Sequence, residues 1–167
     1  LISDDTEHAL MTIRAMSESG CDPNLFEEVL GRKIGQWCKA CPPGIGRATL
    51  RSSFKMICGV RPARAGVRSA GNGPLMRVPA IAIRHRGDPD KLMEFVRIST
   101  SITHTDIRAI SMALFVAEIM TQACKSRLDW RQITSCFEKV SEAQDIPLKF
   151  ESEMRSLLDA IGRHDPA

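Results

Sequence analysis

Ile107-Arg108-Ala109-Ile110-Ser111-Met112-Ala113-Leu114-Phe115-Val116-Ala117-Glu118-Ile119-Met120-Thr121-Gln122-Ala123 is the stretch that decides the fold. Its apolar residues fall on most sides of a helix rather than in one stripe, the pattern of a helix packed all round by other elements. It is therefore expected to be the central buried helix, running to about Lys125. Glu118 interrupts the apolar run and calls for a buried cation, for which Arg77 is a candidate.

Outward from that helix the remaining segments also read as helices. Ala9, Leu10, Ile13 and Met16 recur at helical spacing, and Gly20 stands where a left-handed cap would end the run. Asp22-Pro23 and Asp88-Pro89 each place a capping side chain before a proline at the first helical position. The helix after Pro23 is expected to end near Gly31, with a loop from Ile34 to Gly46. Another runs from Arg47 to near Ile57, and Asp88-Pro89 opens one reaching about Thr100. Asp129 caps a helix through Val140, and Phe150 to Gly162 forms a last one. No alternating strand pattern of convincing length occurs, so the fold class is all-α, a compact multi-helix domain with about seven helices.

The 167 residues fit a single domain, 1–167, large enough to bury a core without staples. Lys plus Arg is 23 and Asp plus Glu is 20, so the overall balance marks neither a nucleic-acid nor a membrane binder. With no apolar run long enough to span a bilayer, a soluble, cytoplasmic protein is the expectation. The six cysteines are expected to be mostly buried thiols, and Cys38-Lys39-Ala40-Cys41 lacks the second half of a zinc set. The first residue is Leu rather than Met, so a start segment is expected to be missing.

Four short stretches carry candidate chemistry. Ser3-Asp4-Asp5-Thr6 offers hard oxygen ligands to a magnesium- or manganese-type ion, and equally a helix start, since acids at a helix N-terminus complement its dipole. Pro43-Gly44-Ile45-Gly46, just before a helix, is either ordinary loop geometry or a cradle whose amides approach an anion. Ser69-Ala70-Gly71-Asn72-Gly73 is a second Gly-rich turn, preceded by a basic, irregular loop from Gly59. It feeds an apolar segment in which Pro79 forces a kink or restart, and in which Arg77 needs a partner, expected to be a buried carboxylate. Thr103-His104-Thr105-Asp106 has capping-box spacing, which would put His104 in the first turn of the central helix, either bonded to backbone or touching a ligand.

Read in order, these stretches with Met76-Arg77 resemble the motif series of the ADP-ribosylglycohydrolases. The resemblance covers residues 1 to about 125 and implies an all-α fold. It implies that Ser3, Asp4 and Asp5 are ligands of a two-metal site of Mg2+ or Mn2+, with Asp4 and Asp5 the catalytic carboxylates. Gly44, Ile45 and Gly46 would lie near the diphosphate of ADP-ribose, Ser69, Ala70, Gly71 and Asn72 around its diphosphate and ribose, and His104 near the bound ligand. The implied reaction is hydrolysis of the glycosidic bond between ADP-ribose and a modified side chain, often arginine. The partner is accordingly an ADP-ribosylated protein or ADP-ribose, with no nucleic acid and no membrane.

Two features of that family are absent from these residues, an early helix with a Gly-Asp motif and a later Asp-x-Asp-Thr-like motif that completes the metal site. The chain is thus expected to be an incomplete form of the domain with half of the metal site. The alternative is a binding or regulatory protein that keeps the ADP-ribose pocket without its chemistry.

Overall fold

The computed structural model describes residues 3–163, and among them the architecture is entirely helical. The helices are α1 (Asp4–Glu18), α2 (Pro23–Lys39), α3 (Arg47–Ile57), the single turn α4 (Pro62–Ala65), α5 (Val78–His85), α6 (Pro89–Ser101), α7 (Ile107–Ala123), α8 (Trp130–Ala143) and α9 (Leu148–Gly162). A 3-10 turn over Gly73–Arg77 leads into α5, with Pro79 in its first turn, so the expected restart is present.

Helix α7 is central as expected, packing on α5, α6, α8 and the 3-10 turn. Its buried side chains include Ala113, Leu114, Phe115 and Ala117, small and large residues that interdigitate with neighbours at close-packed density. Phe26 of α2 and Phe95 of α6 meet at 4.8 Å between ring centres, and Phe115 meets Phe137 of α8 edge-on at 5.5 Å. Helix α9 is peripheral, with Leu158 buried and Leu148 82% exposed.

Several expectations are corrected. Helix α2 does not stop at Gly31 but continues to Lys39, so residues 34–39 are helical rather than loop. Gly31 is there because Pro62 of α4 packs onto it; a Cβ would stand 2.4 Å from Pro62 Cγ. Glycine here permits a close approach of two elements, at the modest entropic cost glycine carries in a helix. The stretch from Gly59 is also more ordered than a basic loop, since α4 buries Pro62 and Ala65. Of the six cysteines only Cys38 and Cys136 are buried, while Cys41, Cys58 and Cys124 are exposed, and all six are free thiols.

The 103–106 segment differs from its capping-box reading. Asp106, not Thr103, caps α7, accepting from the backbone N–H of Arg108 at 3.0 Å. His104 lies before the helix, in a short parallel bridge to Val67: Val67 N–H donates to the Thr103 carbonyl at 3.2 Å and Thr105 N–H to the Val67 carbonyl at 3.0 Å. The hydroxyl of Thr103 is thereby freed for tertiary work. No helix among the described residues is long and apolar enough to cross a membrane.

Candidate functional site

Ser3 is the N-cap of α1, with extended backbone and its Oγ accepting from Thr6 N–H at 3.4 Å. Asp4 and Asp5 follow in the first turn, where their carboxylates complement the exposed amides of the helix end. Glu7, the next acid, is turned away to α2, where its Oε2 accepts from Trp37 Nε1–H at 2.7 Å. His8 lies one turn beyond Asp4 on the same face of the helix, fully buried, with its ring edge-on to Trp37 at 4.5 Å.

His8 leads to the interior of the site. Its Nδ1 is 3.3 Å from Nη1 of Arg77, and because a guanidinium can only donate, Nδ1 is the acceptor and the ring proton sits on Nε2. Arg77 is completely buried. Its Nε donates to Ser99 Oγ at 3.0 Å, and its Nη2 to the Ser99 carbonyl at 2.9 Å and to Thr103 Oγ1 at 2.8 Å. The expected buried carboxylate partner is absent among the described residues; hydroxyls, a carbonyl and an imidazole take its place. Glu118 instead meets Lys139 at 3.2 Å and Gln122 at 3.1 Å, because α7 turns it toward α8.

From Thr103 the chain of contacts reaches the second glycine turn. Thr103 Oγ1 is 2.9 Å from His104 Nδ1 and 3.4 Å from the Thr100 carbonyl, so its own proton has the imidazole as the nearer acceptor. Given to Nδ1, that proton leaves Nε2 of His104 as the N–H facing the turn. A Cβ at Gly71 would lie 3.2 Å from His104 Nε2, and one at Gly73 would lie 3.1 Å from His104 Cε1 and 3.4 Å from Thr49 Oγ1. The two glycines are what let this turn rest on the imidazole. Ser69 Oγ accepts from Gly71 N–H at 3.3 Å and helps hold the turn, while Ala70, Gly71 and Asn72 stay exposed.

Thr49 belongs to α3, whose N-cap is Gly46. Gly44 has φ +81°, the left-handed conformation glycine adopts most readily, and this turns the chain into the helix. No side chain caps α3, so its first amides are left to water or an anion. Gly44 and Gly46 are exposed and Ile45 half-buried. The first glycine turn thus feeds a helix whose Thr49 approaches the second.

Both imidazoles are held neutral. Burial, with the Arg77 charge adding to it, lowers His8 to about 3 and His104 to about 4. Burial also brings Arg77 down to about 10, which leaves it charged at neutral pH. The centre is therefore one positive charge among neutral donors and acceptors.

Ser3, Asp4 and Asp5 are hard oxygen donors of the kind Mg2+ and Mn2+ take. No group of three or more His, Cys, Asp or Glu able to hold a metal ion forms among the described residues. By themselves the donors present do not enclose such an ion.

Residue reading from the sequence located the two turns, Arg77 and His104, but missed His8, Trp37 and Thr49. His8 had a signal, its spacing of four from Asp4. Thr49, Ser52 and Ser53 had another: they form a hydroxyl face opposite Leu50, Phe54 and Ile57, and the structure buries the hydroxyls.

The family model of the ADP-ribosylglycohydrolases matches residues 1–166, and the chain belongs to that family. No curated protein is matched. Membership supports a glycohydrolase-type function on ADP-ribosyl substrates.

Proposed function

We propose that this member of the ADP-ribosylglycohydrolase family hydrolyses the bond between C1 of the distal ribose of ADP-ribose and a modified protein side chain. Water would supply the oxygen to that carbon, and the departing side-chain atom would take the bonding electrons and a proton. What supports this reading is the Gly71–Gly73 turn resting on His104 and on Thr49 of α3, the helix that the first glycine turn opens, with His104 tied through Thr103 and Arg77 to the helix that begins with Asp4 and Asp5.

In this reading the uncapped amides of α3 and the Gly44-Ile45-Gly46 turn receive the diphosphate, since backbone N–H groups and a helix N-terminus favour an anion. Ser69, Ala70, Gly71 and Asn72 close over the diphosphate and ribose, and His104 Nε2–H holds the turn or donates to a ligand oxygen. Arg77 adds an uncompensated positive charge behind them. Ser3, Asp4 and Asp5 would hold one side of a Mg2+ or Mn2+ pair. When bound, such ions orient hydroxyls and stabilise negative charge at reacting oxygens.

The test is incubation of an ADP-ribosylated protein with the chain, with and without Mg2+ or Mn2+, beside an Asp4→Asn/Asp5→Asn variant. Metal-dependent release of free ADP-ribose, lost in the double variant, is the expected result. Release unaffected by the substitutions would sink the roles of Asp4 and Asp5. The lack of a third carboxylate, imidazole or thiolate beside Asp4 and Asp5 among the described residues favours a second reading, a protein that binds ADP-ribose without turnover. Saturable ADP-ribose binding with no release under any metal condition would select it.

A further inference from the structure

Helix α3 is packed with its polar side inward. Ala48, Thr49, Ser52 and Ser53 are buried, while Leu50 is 46% exposed, Phe54 66% and Ile57 41%. Leu50, Phe54 and Ile57 stand at i, i+4 and i+7, one continuous stripe along the outer face. Arg47 and Arg51, also exposed, are interleaved with it. At its C-terminal end the stripe opens into a groove of about 380 Å³ between α2 and α3, whose lining includes Ile57, Val60, Lys39, Arg32, Arg61 and one acid, Glu28.

The charge along the part of the chain that carries this stripe is one-sided. Residues 29–87 hold twelve Lys and Arg and no Asp or Glu, so all 20 acids of the chain lie outside this segment. The near-neutral total conceals a strongly basic middle. Its ion pairs take Arg32 and Lys33 to Glu18 at 3.4 and 2.6 Å, Arg61 to Glu28 at 3.5 Å and Arg68 to Asp106 at 4.0 Å, and among the described residues none takes Arg47 or Arg51. A patch with large apolar side chains between unpaired guanidiniums complements an acidic surface that carries its own apolar anchors, and like charges repel a basic one.

We propose that the outer face of α3 docks the polypeptide of the substrate, an acidic protein segment with leucine- or phenylalanine-like anchors beside the ADP-ribosylated side chain. Position favours this occupant, since Gly46, the N-cap of α3, ends the turn assigned above to the diphosphate. A protein whose ADP-ribose lies in that turn would present its neighbouring residues to the α3 face. Leu50, Phe54 and Ile57 favour protein over nucleic acid, because two of the three are aliphatic and offer bases little to stack on. The identity of the occupant rests on the function proposed above; the existence of the docking face does not.

The experiment uses a labelled, unmodified peptide alternating glutamate with leucine and phenylalanine, a counterpart with lysine for glutamate, and oligothymidylate. Binding to each is read by fluorescence anisotropy, ADP-ribose affinity is measured separately by calorimetry, and circular dichroism checks that variants fold. The acidic peptide should bind and the lysine peptide should not. Arg51→Glu/Phe54→Ser should weaken the peptide about ten-fold or more and leave ADP-ribose affinity unchanged, since hot spots of this kind lie in aromatic and arginine anchors. Peptide binding indifferent to the double variant would overturn the docking face, as would preferential binding of oligothymidylate. So would self-association abolished by Phe54→Ser in a chain that binds no peptide. Peptide binding without any ADP-ribose affinity would uphold the face and overturn the proposed function.

Discussion

Arg77 and Asp106 lie at the two ends of one corner of the molecule and handle buried charge in opposite ways. Asp106 is 7% exposed and meets Arg108 at 2.9 Å and Arg68 at 4.0 Å, so its charge is met by opposite charge within a structural cap. Arg77 is fully buried and meets only neutral partners from α1, α6 and the 103–104 bend. Dipoles take four of its five donors without cancelling its charge. Asp106 thus closes an electrostatic account locally, whereas Arg77 leaves a field inside the site and links three elements that sequence separates widely.

The strongest way to break this contrast is Arg77→Met, which keeps volume and removes both fork and charge. Ser99, Thr103 and His8 would lose their donor, and the expected destabilisation is about 3 to 5 kcal/mol by urea unfolding, the range for breaking a buried charged network. A loss below about 1 kcal/mol would mean that desolvating the guanidinium already cancels its bonds. The two imidazoles should also rise in pKa by NMR titration, though only partway, because burial is the larger cause of their depression.

A smaller effect comes from the histidines that Arg77 helps keep neutral. Unfolded, each binds a proton near 6.5; folded, His104 refuses it until about 4 and His8 until about 3. As pH falls below 6.5 the unfolded state takes up protons that the folded state does not, so stability falls. Each histidine approaches a slope of about 1.4 kcal/mol per pH unit once the pH is well below 6.5, which makes about 3 kcal/mol for the pair between pH 6.5 and 5. The slope for His104 ends near 4 and that for His8 near 3, and His85, lowered mainly by burial, acts in the same direction. Urea midpoints that stay flat from pH 6.5 to 5 would show that neither imidazole is held neutral.

The same contrast separates what was legible in the sequence from what was not. Helix type, the proline-led starts and the central place of Ile107–Ala123 follow from local spacing, because caps and apolar periodicity are short-range. Two glycines in α2 read as a stop, since Pro62, which makes Gly31 necessary, is 31 positions away. Arg77 in an apolar segment calls for a partner, but a lone buried cation suggests a carboxylate, and only the fold shows four neutral groups arriving together. Thr103 and Asp106 have the spacing of a capping box; the bridge to Val67 decides that the cap is Asp106 and turns Thr103 to Arg77. On α3, the amphipathic pattern is plain in sequence, but which face points inward is not.

The least disruptive test concerns Asp106 itself. Asp106→Asn keeps an oxygen that can accept from Arg108 N–H, so the cap of α7 survives and only the charge pairing is lost. Arg108 is 46% and Arg68 92% exposed, and water screens both, so the expected loss is about 1 kcal/mol near neutral pH. The acid limb adds a second reading. The Arg108 hydrogen bonds hold Asp106 near 2, below its ordinary 3.8, so its contribution is present above 3.8 and disappears as pH falls toward 2. The variant should therefore approach wild type in stability at the acid end of a urea series. Should Asp106→Asn cost as much as Arg77→Met, with no recovery in acid, then Asp106 is no screened local pair. It would be a second buried centre, and the contrast between the two ends of the corner would be wrong.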